Sequence, residues 1–486
     1  MHGTTQDRGL YVAPGNAVPA GRFGRMFPNL QPRAATGLAV AERMGLPGGL
    51  LDAGPITPDK LGAIDTGFVY LAQFVDHTIT FDPTSVLNQQ VDPEAIQSFR
   101  PPRLDLDTVY GAGPTVDPYL YDQASLGTKL VVGPTGTDFA RTAEGVPLIG
   151  DPRNDENMLI AQVHLAFIKF HNRLVDGLVD GTLTDVYGDR LRPRPEAPPA
   201  GPGHALDDLL ALERYHVEVL QKAQQLVRWH FQWIVVHEYL PKFVGQPLVD
   251  DIFANGLRFY DPFPTPFIPV EFAVAAFRFM HSTILPEYRV NERFAAPLFP
   301  ADREAPQEPR ADLRGGPLRP EHAVDWSFFF RTRPDREPQK AKALGASLTS
   351  VLLNLPVQAV PGGKPGALAP SLGSLAVRNL LRSETQRLPS GQDVARAMGE
   401  VPLTDAQLGT TGPIHLWYYV LKEAGVLGGG ARLGPVGGRI VAEVLLGILQ
   451  ADPLSYRAAY PAWRPTLAGP DGRFGMVDLL RVTGLI

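Results

Sequence analysis

Apolar residues recur at helical spacing in five stretches of this chain, residues 59–81, 155–178, 206–240, 270–285 and 436–449, and each is predicted helical. Prolines and glycines gather between them, most densely at 194–203 and 300–320, which predicts long irregular connections. Evenly spaced alternating strands are missing, as is any internal repeat of roughly 20 to 50 residues. The pattern describes a mainly α protein with long Pro/Gly-rich loops and little β.

Three of these helices carry polar groups that need an explanation. In residues 68–81, Phe68, Leu71, Val75 and Ile79 form the apolar face, so Gln73, Asp76 and His77 share a different one. One helix thus presents an amide, a carboxylate and an imidazole side by side, which a plain solvent face also explains. The stretch 270–281 is apolar almost all round, with Phe277, Arg278, Ile284 and Leu285 one turn from His281. A buried imidazole needs a partner, either a hydrogen-bonding core neighbour or a metal. The third helix carries the stripe Ile160, Val163, Phe167, Phe170 and Leu174 and follows Asp151-Pro-Arg-Asn-Asp-Glu156. Asp155 and Glu156 suit capping and the helix dipole, whereas Arg153 stands ahead of the first turn, placed either for a surface ion pair or to reach across a pocket.

Composition narrows the chemistry. With 44% hydrophobic and 20% charged residues the chain has the make-up of a folded globular protein. A net charge of -6 and a pI near 6.0, with no dense Lys/Arg cluster, give no footprint for nucleic acid. No run reaches the ~18 apolar residues of a membrane span, and residues 440–449 are interrupted by Glu443. The start, Met1 to Asp7, lacks the basic and apolar regions of a secretory signal, so the expected location is cytoplasmic or exported without a recognisable signal peptide. The absence of cysteine excludes disulfides, zinc-thiolate sites and thiolate-ligated haem, leaving His, carboxylate, Tyr or Met for metal chemistry. His237-Glu238 opens like a zinc-protease helix, but Pro241 stands where the second histidine belongs. Residues 361–364 lack the leading Gly and the Ser/Thr of a phosphate loop, and no Gly-x-Ser-x-Gly elbow occurs.

Four blocks in order resemble the animal-type haem peroxidases of the peroxidase-cyclooxygenase superfamily, in particular their bacterial branch. Ala72-Gln-Phe-Val-Asp-His77 is similar to the distal motif, and Asp151-Pro-Arg-Asn-Asp-Glu156 with His171-Asn-Arg-Leu174 to the distal arginine helix. Phe277-Arg-Phe-Met-His281 is similar to the proximal motif, and residues 375–391 to the block carrying the proximal asparagine, here Asn379.

The resemblance implies roles residue by residue. His281 would ligate iron and Asn379 would accept a hydrogen bond from its other ring nitrogen. His77 would shuttle the peroxide proton, and Arg153 would stabilise charge during O–O cleavage, leading to a ferryl haem that oxidises small donors such as phenols or halides. Asp76 and Glu156 match the carboxylates that esterify haem, so the cofactor is haem b or an ester-linked derivative. Asn157 replaces the methionine needed for a sulfonium link. Gln73 matches the amide near the halide site, and Arg278 would bind a propionate or organise the pocket. Calcium is doubtful: Thr78 replaces the family's aspartate, and Asp105 and Asp107 remain as candidate oxygen ligands, although two carboxylates in one loop more often make turns or caps.

A chain of 486 residues would suggest about three domains at roughly 150 residues each, but the candidates run from Gln73 to Asn379, and dividing the chain would divide the site. The expectation is therefore one large helical domain around a buried haem, residues 59–486, preceded by an extended arm, 1–58, packed on it. Two alternatives stand beside a peroxidase. A fatty-acid dioxygenase of the same superfamily carries a radical-bearing tyrosine three residues before the proximal histidine, where this chain has Arg278. A helical interaction protein with relic residues has no reason to keep His77, Arg153, His281 and Asn379 together.

Overall fold

The computed structural model describes residues 23–80, 100–195, 206–305, 311–360, 369–469 and 471–486. The first 22 residues of the expected arm, the end of the first predicted helix at Phe81, and most of 194–203 and part of 300–320 lie outside the described residues.

Close to half of the protein is helical. Strands among the described residues form three two-stranded ladders. Within the expected arm, Phe23–Gly24 pairs in parallel with Ile268–Pro269, and Leu38–Gly45 is a helix, α1, where an extended arm was expected.

The stretch predicted helical from residue 59 is instead a strand, Leu61–Asp65, followed by a helix, α2, Thr66–Ile79. The strand pairs antiparallel with Lys340–Lys342, a partner far along the chain that local periodicity cannot show. In α2 every residue is buried except Gln73 and Asp76. Helix α3, Met158–Val179, starts later than predicted, because Asn157 is its cap and accepts from Leu159 N and Ile160 N at 3.1 and 3.0 Å. Helix α4, Leu206–Ile234, runs on through a wide π turn, Val235–Tyr239.

The apolar stretch 270–285 is not the regular α-helix predicted. It opens as a π turn, Glu271–Ala275, and tightens into 3₁₀ winding over Ala276–Thr283. Two anchors hold this geometry. The Glu271 carboxylate accepts from Met26 N and Phe27 N at 3.0 and 3.2 Å, and Arg278 Nε donates to Ala273 O at 2.9 Å. Helices α5, Leu375–Thr385, α6, Leu416–Val426, and α7, Pro435–Ala451, pack around this segment, with α2 on its remaining side.

Aromatic side chains join α2, α3 and α4. Phe74 stacks on Phe167 at 4.8 Å, and Phe231 meets them edge-on at 5.8 and 5.4 Å. All three rings are fully buried, each stabilising the fold by roughly 2–3 kcal/mol of transfer free energy. Among the described residues, no helix is long and apolar enough to cross a membrane.

Candidate active site

The site is built where α2, the turn before α3 and the 271–283 segment meet. That turn, Pro152–Asp155, is held by its own acid: Asp151 accepts from Arg153 N at 3.0 Å. Gly150 and Gly315 allow the chain to close around it, since a Cβ on Gly315 would lie 1.5 Å from Asp155 O and one on Gly150 would lie 2.5 Å from Thr108 O.

Asn154, in the middle of this turn, decides the state of His77. Its Oδ1 lies 2.7 Å from His77 Nδ1, and its Nδ2 lies 2.9 Å from His164 Nδ1 on α3. With the carbonyl turned to His77, Nδ1 donates and Nε2 is left bare, the nitrogen that can take a proton. Burial, with Arg153 nearby, pushes the His77 pKa down to about 3, so the ring is neutral at ordinary pH.

Arg153 is tethered beside it. Its Nη2 donates to His77 O and to Asp151, both at 2.8 Å, and Nε bonds Asp151 at 3.1 Å. Asp151 is completely buried and also accepts from Arg100 Nη2 at 2.6 Å. Burial alone would raise its pKa, but Arg153 and Arg100 hold it well below the usual carboxylate range. Asp107, one of the carboxylates weighed for calcium, takes the other arm of Arg100 at 2.8 Å. Asp105 lies beside Asp107 and is raised to about 7 by burial and that neighbour. Among the described residues no three His, Cys, Asp or Glu side chains gather as an ion site.

Gln73, Asp76 and Glu156 gather on the same side. Gln73 Nε2 bonds Glu156, and Asn157 Nδ2 reaches Gln73 Oε1 at 3.4 Å. Burial in the surrounding protein pushes the Glu156 carboxyl up to about 7, with Asp151 and Asp76 adding to the rise and Arg153 opposing it; yet its side chain is exposed. The carboxyl is thus surrounded by protein and still accessible. Asp155, paired with Arg141 at 2.7 Å, faces elsewhere. Asp76 is likewise raised by burial, against the pull of Arg278 from the 276–283 segment and of Arg153 from the turn. Asp76 therefore lies within electrostatic reach of both sides of the site.

His281 is partly accessible, and burial with Arg278 and Arg378 lowers its pKa to about 3. Asn379, from α5, presents Nδ2 to His281 Nδ1 at 3.4 Å, while its Oδ1 is taken by Arg278 Nη1 at 3.3 Å. This orientation is the reverse of the expected one, in which the amide oxygen accepts from the ring. Rotating the amide would turn its oxygen to His281 but set its NH2 against Arg278 Nη1, two donors face to face, so Arg278 holds the amide as it stands.

These residues fit haem. Gln73, Asp76, Arg153, Glu156, Arg278 and His281 remain accessible inside a heavily buried wall, and a neutral imidazole, carboxyls and guanidinium groups are the donors an iron porphyrin with anionic propionates requires. Sequence reasoning missed Asn154, His164, Asp151 and Arg100. One signal was available: His164 interrupts the apolar stripe of α3, between Ile160 and Phe167.

The fold is shared with a solved peroxidase and with fatty acid alpha-dioxygenases. Peroxidase A from Dictyostelium discoideum superposes with a TM-score of 0.55 at 16% identity, covering 99% of this chain and 96% of that one. Fatty acid alpha-dioxygenase from Arabidopsis thaliana superposes at 0.60 with 14% identity, covering 99% and 78%. The animal haem peroxidase family model matches residues 103–301, which include Arg153 and His281. Mus musculus thyroid peroxidase is 26% identical over 265 residues, 50% of this chain and 24% of that protein. Aedes aegypti chorion peroxidase is 24% identical over 372 residues, 73% of this chain and 41% of that protein. The chain thus spans less than half the length of these relatives. Over residues 103–301 the chain is thus similar to the animal haem peroxidase family, and its fold is shared with a peroxidase and an alpha-dioxygenase.

Proposed function

We propose that this protein is a haem peroxidase that uses hydrogen peroxide to oxidise small phenolic donors. The observation that carries the reading is the hydrogen bond from His77 Nδ1 to Asn154, which leaves Nε2 bare on a residue whose backbone oxygen holds Arg153.

Haem held through His281 would supply the redox-active iron. His77 Nε2 would take a proton from peroxide and return it to the departing oxygen, so that water could leave. Arg153, fixed by Asp151, holds positive charge where the splitting O–O bond builds negative charge. Asn379 orients the His281 ring, and Asp76 and Glu156 are the carboxyls for covalent attachment. With Gln73 engaged by Glu156 and Asn157, phenols fit the site better than halides.

The oxygenase reading has the architectural likeness to alpha-dioxygenases in its favour, and it has a buried phenol, Tyr239, near Asp76. Against it stands Arg278 in place of the expected tyrosine, engaged with Ala273 O and Asn379. One experiment separates the two readings. The protein is loaded with haem and mixed with peroxide in a stopped-flow spectrometer, then incubated with linoleate and oxygen. His77→Ala should slow the peroxide-driven Soret change by about two orders of magnitude or more without loss of haem, and His281→Ala should lose the histidine-ligated spectrum. A wild-type rate in His77→Ala removes that residue from the mechanism, and one dominant hydroperoxide enantiomer made catalytically from linoleate establishes the oxygenase.

A further inference from the structure

Three of the five tryptophans, Trp229, Trp233 and Trp463, cluster on one side of α4 with three tyrosines, away from the candidate active site. The series begins at the surface. Tyr187 and Tyr460, 57% and 41% exposed, face each other at 6.1 Å. Tyr187 meets Trp229 at 5.9 Å, Trp229 meets Trp463 at 5.3 Å, and Trp463 meets Trp233 at 5.9 Å. Trp233 lies flat on His237 at 3.8 Å, and His237 Nε2 lies 3.1 Å from the hydroxyl of the buried Tyr456. Gln232 Oε1 accepts from Tyr456 N at 3.0 Å, which sets the ring in place.

The inner end lies at the active site. Tyr239 follows His237 by two residues in the π turn and is fully buried, and its hydroxyl has no hydrogen-bond partner. Its pKa is raised well above the ordinary value by burial and by Asp76, the neighbour of His77. Tyr239 also packs 6.5 Å from Phe277, in the segment that carries His281. From Tyr239 to the Trp233–His237 pair the gap is that of one helix, about 10 Å.

We infer that Tyr456, with His237 as its proton acceptor, is a redox-active tyrosine that draws one oxidising equivalent out of the active site and offers it to donors at the surface. The inference rests on the peroxidase reading above. Haem, when bound, would supply two oxidising equivalents from each peroxide reduced. Tyr456 gives up one electron, which passes inward through Trp233 and Tyr239, and its hydroxyl proton moves to His237 Nε2. His237 is suited to this: burial, with Arg464 and Arg457 close by, lowers its pKa to about 4, so it is neutral and can accept, and it is exposed to water. A phenolic donor at the Tyr187–Tyr460 surface then returns one electron by way of Trp229 and Trp463. The donor's own proton goes to water, His237 hands back the proton it holds, and the donor leaves as a phenoxyl radical. Packing alone does not require an imidazole bonded to a buried phenol.

The test is freeze-quench electron paramagnetic resonance on the haem-loaded protein, mixed with peroxide without donor, alongside its Soret spectrum. Wild type should show a tyrosyl radical whose hydrogen-bond proton exchanges in heavy water. Tyr456→Phe, which keeps the ring in the core, should lose that signal while keeping haem and the peroxide-driven Soret change. Trp233→Phe should weaken the signal with Tyr456 intact. An unchanged tyrosyl radical in Tyr456→Phe, or none in wild type despite a normal Soret change, overturns the inference alone. No Soret change in wild type overturns the peroxidase reading and the inference with it.

Discussion

At the scale of single residues, the protein spends its buried polar groups on fixing proton positions. Asn154 is the clearest instance, because its two ends address two imidazoles that lie on different elements. Asn154→Ala would free the His77 ring to turn and to change tautomer, and would leave His164 Nδ1 without its donor. The peroxide-driven step should slow about 10- to 100-fold, in the range of lost orienting partners, with haem content unchanged. Stopped-flow rates measure it; an unaltered rate means that His77 is oriented by something else. Arg100 works one layer further out. Burial opposes its charge, but Asp107 and Asp151 raise its pKa above the ordinary value, so a guanidinium belonging to the chain balances the carboxylate on which Arg153 rests.

At the scale of elements, the 271–283 segment is the informative one. Within its π turn Ala273 O accepts from the Arg278 side chain at 2.9 Å, which ties the turn to the 3₁₀ winding that follows. The same segment is tied to the amino-terminal arm by Glu271, a fully buried carboxylate bonded to Met26 N and Phe27 N. Glu271→Ala would leave those two N–H groups unpaired, at roughly 1–3 kcal/mol each. Chemical denaturation should therefore show a stability loss of about 2–6 kcal/mol, and the Soret band of the haem-loaded variant should shift as the His281 segment relaxes. Stability equal to wild type would show that the arm contributes no such anchor.

At the scale of the whole molecule, pH dependence follows from groups buried in the wrong charge state for acid. His77, His164, His171 and His230 are buried with pKa values lowered to about 3 or 4 by desolvation. Below an ordinary histidine pKa near 6.5 the unfolded chain binds protons there and the folded chain does not, so stability falls as pH falls. Each such imidazole steepens the loss by about 1.4 kcal/mol per pH unit. Asp105, Glu156 and Glu423 act in the opposite sense: burial raises each to about 7, so the folded chain binds their protons first and is favoured as pH drops from 7 toward 4.5. Glu156 is accessible and contributes the least of the three. Below about pH 4.5 these three carboxyls approach protonation in both states, and the imidazoles, joined by Asp151 whose pKa is lowered, carry the loss. The melting temperature should decline gently from pH 6.5 to 4.5 and steeply below, as calorimetry at stepped pH would show; a melting temperature level down to pH 3.5 would contradict the buried neutral imidazoles.

The sequence by itself determined which stretches wind and which side chains share a face. Helical periodicity is local, so the grouping of Gln73, Asp76 and His77 and the apolar wall around His281 were legible without a structure. Four blocks in order also carried the family resemblance. What only the tertiary structure decided were pairings between distant segments: the strand at 61–65 finding residues 340–342, Asn154 reaching from a turn to His77, and Arg100 joining Asp107 to Asp151. The departures from regular helix at 235–239 and 271–283 belong with them. The physical reason is one of range. An apolar stripe is written in spacings of three and four residues, whereas a buried donor is satisfied by whichever acceptor the packed helices bring within 3 Å, and residue order does not encode that distance.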